Sequence, residues 1–110
     1  MELEVRLDSS SLGIAIADPY RPDMDGVVTR ISAFLDSKGV PPQDIDLAGL
    51  IPLMIHGVVG CEEGCPANAK ALVERGYREF SLQYVEGGIL SARARTAAGG
   101  DLTVTVFPDF

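Results

Sequence analysis

The segment Gly60-Cys61-Glu62-Glu63-Gly64-Cys65-Pro66 holds both cysteines of the chain, with three residues between them. Two thiols this close can bind a metal, exchange with a disulfide, or close a local ring. As ligands they supply half of a tetrahedral zinc site or half the thiolates of an iron-sulfur cluster. As a disulfide they would close a very small ring and add about 2 kcal/mol through chain entropy, before strain. The spacing is not the two-residue spacing of thioredoxin-like or zinc-knuckle motifs, so no family signature applies.

Pro66 gives the pair a direction. Proline suits the first position of a helix, and the residue before it favours extended backbone, as an N-cap does. Cys65 is therefore expected to cap a helix over Pro66–Arg75. Free backbone N–H groups and the helix dipole there favour thiolate over thiol. Glu62 and Glu63 act the other way on a thiolate, by repulsion, yet they attract a cation. The plainer reading of both is solvated loop charge. Lys70, on the exposed side of the same helix, is placed to steady a Cys65 thiolate or to be an ordinary surface lysine.

His56 is the sole histidine and lies five residues before Cys61. Inside so apolar a segment, the plain reading is a hydrogen-bonded core histidine. The functional readings are a third metal ligand or a base that activates Cys65. The last of these would make the protein a cysteine-dependent enzyme. Two metal ligands then remain to be found, from His56 with Glu62 or Glu63, or from the same cysteines of a second copy. Zinc and an iron-sulfur cluster are the cofactors such sets imply. No Ser/His/Asp set, paired-carboxylate pattern or phosphate loop accompanies them.

The elements that must hold this loop are readable from periodicity. Leu3, Val5 and Leu7 alternate with Glu2, Glu4 and Arg6, which is a strand with one buried side. Ser9-Ser10-Ser11 reads as a turn, and Leu12, Ile14 and Ile16 continue the period of two. Asp23 caps a helix to about Lys38, with Met24, Val27, Val28, Ile31, Phe34 and Leu35 in one stripe and Gly39 as its stop. Asp44 or Asp46 caps a second helical region that is apolar nearly all round, and Pro52 is expected to bend or split it. Beyond Gly76 the period returns to two. Phe80, Leu82 and Tyr84, then Leu90, Ala92 and Ala94, then Leu102, Val104 and Val106 form a three-stranded antiparallel meander. Arg93 and Arg95 fall on its polar face with Gln83, Ser91, Thr103 and Thr105, which is either a solvated face or one that takes an anionic ligand.

The expected fold is a single α+β domain over residues 1–110. Its two layers are a mainly antiparallel sheet of four or five strands, the N-terminal strand joining the C-terminal meander, and about three helices on one face. With 16 acidic against 9 basic residues the net charge is -7, which argues against nucleic acid or an anionic membrane as partner. The opening Met1-Glu2-Leu3-Glu4 lacks the cationic start and apolar block of a signal peptide, so the reading is cytoplasmic, with reduced thiols. The apolar stretch Leu47–Val59 and the tail Phe107–Phe110 offer more apolar surface than one small core needs, which points to a homodimer. Function then reads as a small accessory protein whose thiol pair binds a soft metal or exchanges disulfides. The alternative is a non-catalytic interaction module whose cysteines only shape a helix start.

Overall fold

The computed structural model describes residues 1–18, 21–40, 46–58, 73–74, 80–85, 89–96 and 99–107. Five strands, β1 (Glu2–Leu7), β2 (Ser10–Ala15), β3 (Ser81–Val85), β4 (Ile89–Arg95) and β5 (Asp101–Phe107), form one sheet in the order β2-β1-β5-β4-β3. Every neighbouring pair is antiparallel. The two-layer α+β reading therefore holds, with the N-terminal strand inserted between its own hairpin partner and the last strand of the meander.

The buried side of the sheet is the alternating apolar set. Leu3, Val5, Leu90, Ala92, Leu102, Val104 and Val106 are all fully buried. Two helices cover that side: α1 (Met24–Ser37) packs on β2, α2 (Leu47–Val58) packs on β4 and β5, and the two touch each other. Their buried residues join those of the strands in one continuous core. The third helix expected over Pro66–Arg75 falls almost entirely outside the described residues; Val73 and Glu74 alone are described, and both are helical.

Helix α1 begins and ends as its sequence dictates. The Asp23 carboxylate accepts from the Gly26 N–H at 3.1 Å, which satisfies one of the free donors of the first turn. At the other end Gly39 adopts φ 77, a left-handed conformation that favours glycine. Its N–H donates to the Asp36 carbonyl at 3.0 Å, and the Val40 N–H donates to the Leu35 carbonyl at 2.9 Å. This is a Schellman closure, completed by the burial of both Val40 and Leu35.

Helix α2 starts where Asp46, one of the two caps expected, accepts from the Gly49 N–H at 3.0 Å; Asp44 lies outside the described residues. It then runs through Pro52 as one helix, so of the bend or split expected there the split does not occur. Proline has no N–H for the carbonyl four residues back, and its interior cost is about 3 kcal/mol. Against this, Leu50, Ile51 and Met54 are 0% exposed and Ile55 is 2% exposed, on both sides of the proline. Burying each such side chain contributes about 1.5–3 kcal/mol, so tertiary packing wins over local propensity. Pro52→Ala is accordingly expected to raise the unfolding free energy by about 1–3 kcal/mol, read as a higher urea midpoint. An unchanged or lower midpoint would mean that the helix does not run through this residue.

The first hairpin turns one residue earlier than expected. Leu7 pairs with Ser10 and Arg6 with Ser11, so the loop is Asp8-Ser9 and the next two serines are strand. Asp8 takes φ 51, as two-residue hairpin loops require of a central residue. Aspartate tolerates that conformation better than most residues. Asp8 also ties this turn to the β4–β5 connection: its N–H donates to the Asp101 carbonyl at 3.1 Å, and its carboxylate accepts from the Asp101 N–H at 3.2 Å. Gly100 lies beneath it, where an added Cβ would stand 3.1 Å from Asp8 Oδ2 and 3.2 Å from Thr96 Oγ1. Thr96 is buried, and its hydroxyl accepts from the Gly100 N–H at 2.9 Å.

Candidate functional site

Among the described residues, two surfaces carry groups capable of chemistry: the C-terminal end of α2, and the side of the sheet away from the helices. Along α2 the core takes Leu47, Leu50, Ile51, Met54, Ile55, Gly57 and Val58. The remaining stripe is Ala48, Gly49, Pro52, Leu53 and His56, and of these Ala48, Leu53 and His56 are exposed. His56 is thus not the hydrogen-bonded core histidine that its apolar neighbours suggested. Its imidazole stands in the last turn of α2, where the helix dipole favours a cation.

The other residues proposed for this site, Cys61, Glu62, Glu63, Cys65 and Lys70, lie outside the described residues. Among the described residues no three His, Cys, Asp or Glu side chains come close enough to hold a metal ion. The expectation that Leu47–Val59 leaves apolar surface to spare loses its main support. That helix spends its large side chains on the chain's own core, and Leu53 at 38% exposed is its one large apolar residue at the surface among those described.

The sheet's open face is ordered in rows by the strand register. One row runs Ser11, Arg6, Thr103, Arg93 and Ser81 across all five strands. The next runs Gly13, Glu4, Thr105, Ser91 and Gln83, with the Ser91 and Thr105 hydroxyls 3.2 Å apart in a hydrogen bond. Beyond it, Val85 pairs with Ile89, and Phe107 stands next past the Leu90–Val106 pair. On the other side of Phe107 the row continues to Glu2, and its three apolar residues stand on the polar side of the sheet against expectation. The available signal was parity: Val85 and Ile89 fall out of phase with buried Leu90 and half-buried Tyr84, which puts them on the polar side.

The charges on this face are mostly matched. Arg6 bonds Glu4 on its own strand at 3.3 Å, and Arg95 lies 3.9 Å from Asp101. Such exposed pairs contribute little to stability, ~1 kcal/mol or less. Arg93 makes no ion pair with any described residue. It lies between two adjoining depressions. One, of about 560 Å³, reaches from Arg93 to Arg6 and Phe107 and includes the carboxylates of Glu4, Asp8 and Asp101. The other, of about 300 Å³, is formed by Arg93 with Ser81, Gln83, Ser91 and Thr103 and includes no carboxylate.

No helix among the described residues is long and apolar enough to cross a membrane. No protein-family model matches the chain, and no curated protein or solved structure matches it.

Proposed function

We propose that the chain is a small cytoplasmic accessory protein that binds a soft divalent metal, zinc foremost, through Cys61 and Cys65 with His56 as a further ligand. The observation that carries this reading is the exposure of His56. A histidine in a helix this apolar had every opportunity to be spent in the core, yet it stands at the surface, five residues before the first thiol. The negative end of the helix dipole and the glutamates between the cysteines both favour a cation there. Thiolate and imidazole together match the ligand preference of zinc, while four thiolates would suit zinc or an iron-sulfur cluster equally.

Two ligand sets are distinguishable. One chain using His56 binds one zinc ion; two chains pooling their cysteines share one between them and become a dimer that depends on the metal. Anaerobic zinc titration of reduced protein, with light scattering on the same samples, reads both stoichiometry and mass. His56→Ala is expected to weaken binding by about a hundredfold in the one-chain site and to leave the pooled site unchanged. Absence of zinc and iron binding, together with rapid, reversible oxidation of the two thiols to a disulfide, would replace the metal reading with thiol-disulfide exchange.

The open sheet face supports a second reading, a binding module, since an arginine with no partner among the described residues sits there among hydroxyl groups.

A further inference from the structure

We propose that the open face of β3, β4 and β5 binds a small amphiphilic carboxylate, with its head group on Arg93 and its tail on the row Val85, Ile89 and Phe107. Arg93 and the 300 Å³ depression beside it supply the head-group site. Its walls are a guanidinium, three hydroxyls from Ser81, Ser91 and Thr103, and the amide of Gln83. Every one of these can donate a hydrogen bond to an oxyanion, and a guanidinium fork matches a carboxylate in two parallel bonds. The opposite wall of Arg93, towards Arg6, already has its carboxylates, so an incoming anion is better received on the β3 side.

Charge selects among anions. The head-group site offers one cation not otherwise paired among the described residues, in a chain of net charge -7. A monoanion matches it. A phosphate at nearly two negative charges, or a protein surface rich in acids, brings charge that the site does not offset. Repulsion from the rest of the chain is screened beyond about 8 Å at physiological ionic strength, so a single carboxylate suffers little from it.

The tail half rests on separate residues. Val85 is 42% exposed and Phe107 37%, high for large apolar side chains that share a polar face. Their row lies two rows from Arg93, about 13 Å along the strands, a distance that the length of the arginine side chain shortens.

Sodium octanoate is the probe, with acetate, octanol and inorganic phosphate as its controls, titrated while backbone amide resonances are followed. Octanoate is expected to move the signals of Ile89, Ser91, Arg93 and Thr103, and to bind at least about tenfold more tightly than acetate, octanol or phosphate. Arg93→Gln, at an exposed position, should reduce octanoate binding by about tenfold and leave octanol unaffected. Phe107→Ser should weaken octanoate but not acetate. The proposal is overturned if octanol or phosphate binds as tightly as octanoate, if Arg93→Gln binds octanoate like wild type, if the shifts map to the helices, or if nothing binds at millimolar concentration. None of these outcomes bears on the thiol pair.

Discussion

Replacing Cys61 and Cys65 together by serine is expected to lower zinc affinity by at least about a thousandfold, because two thiolates are the strongest ligands of the proposed set. The same variant should keep its fold. Serine nearly matches cysteine in volume, so metal-free stability is expected to change by no more than about 1 kcal/mol. The two effects separate cleanly in thermal unfolding. Wild-type protein with zinc at a hundred times its dissociation constant gains about 2.7 kcal/mol, and the serine variant gains nothing. A variant that unfolds without metal would assign the cysteines a structural role. A variant that still gains stability from zinc would place the metal elsewhere.

Leu50→Ala is expected to cost about 2–5 kcal/mol, a large part of the 5–15 kcal/mol that holds a domain of this size together. Leu50 is 0% exposed on the buried side of α2, so truncation leaves a cavity that neighbouring side chains fill only in part. Leu53, three residues on, is 38% exposed, and its change to alanine should cost below about 1 kcal/mol. Chemical denaturation of the two variants fixes the rotation of the helix about its axis. Equal losses would mean that α2 is covered on both sides, as the face-to-face association of two chains through it would require.

That rotation is where sequence alone gives out. α2 carries apolar residues on nearly every side, and an exposed leucine looks no different in sequence from a buried one. Nothing distinguished the His56 side from the Leu50 side until the strands were in place beneath. Pro52 fails to split the helix for a related reason: its local cost is real, but the burial that exceeds it comes from residues far away in the chain. The strands were legible because their signal is strictly local. Leu3, Val5 and Leu7, or Leu102, Val104 and Val106, alternate with polar residues whatever they pair with, and the alternation assigns each to one face. The first hairpin was misplaced by one residue since three consecutive serines all suit a turn, and only the pairing of Leu7 with Ser10 decides among them. As for the candidate site, residue types were visible from the start, but not which arginine has a partner. Arg93 and Arg95 look equivalent until register sets Arg95 opposite Asp101 and Arg93 opposite Thr103.

The position of β5 has a consequence for the order of events during synthesis. Among the described strands it alone joins the hairpin β1–β2 to the hairpin β3–β4, and it pairs Glu2 with Phe107. Until it leaves the ribosome, the two hairpins share no edge, and Leu3 and Val5 have no strand on their second side. Local turns can form early, but the central pairing must wait for residues about a hundred positions downstream, from Leu7 with Leu102 to Glu2 with Phe107, a separation that slows folding. A nascent or prematurely ended chain therefore presents two unfinished sheets with open edges, the kind of surface that chaperones shield and that other chains join.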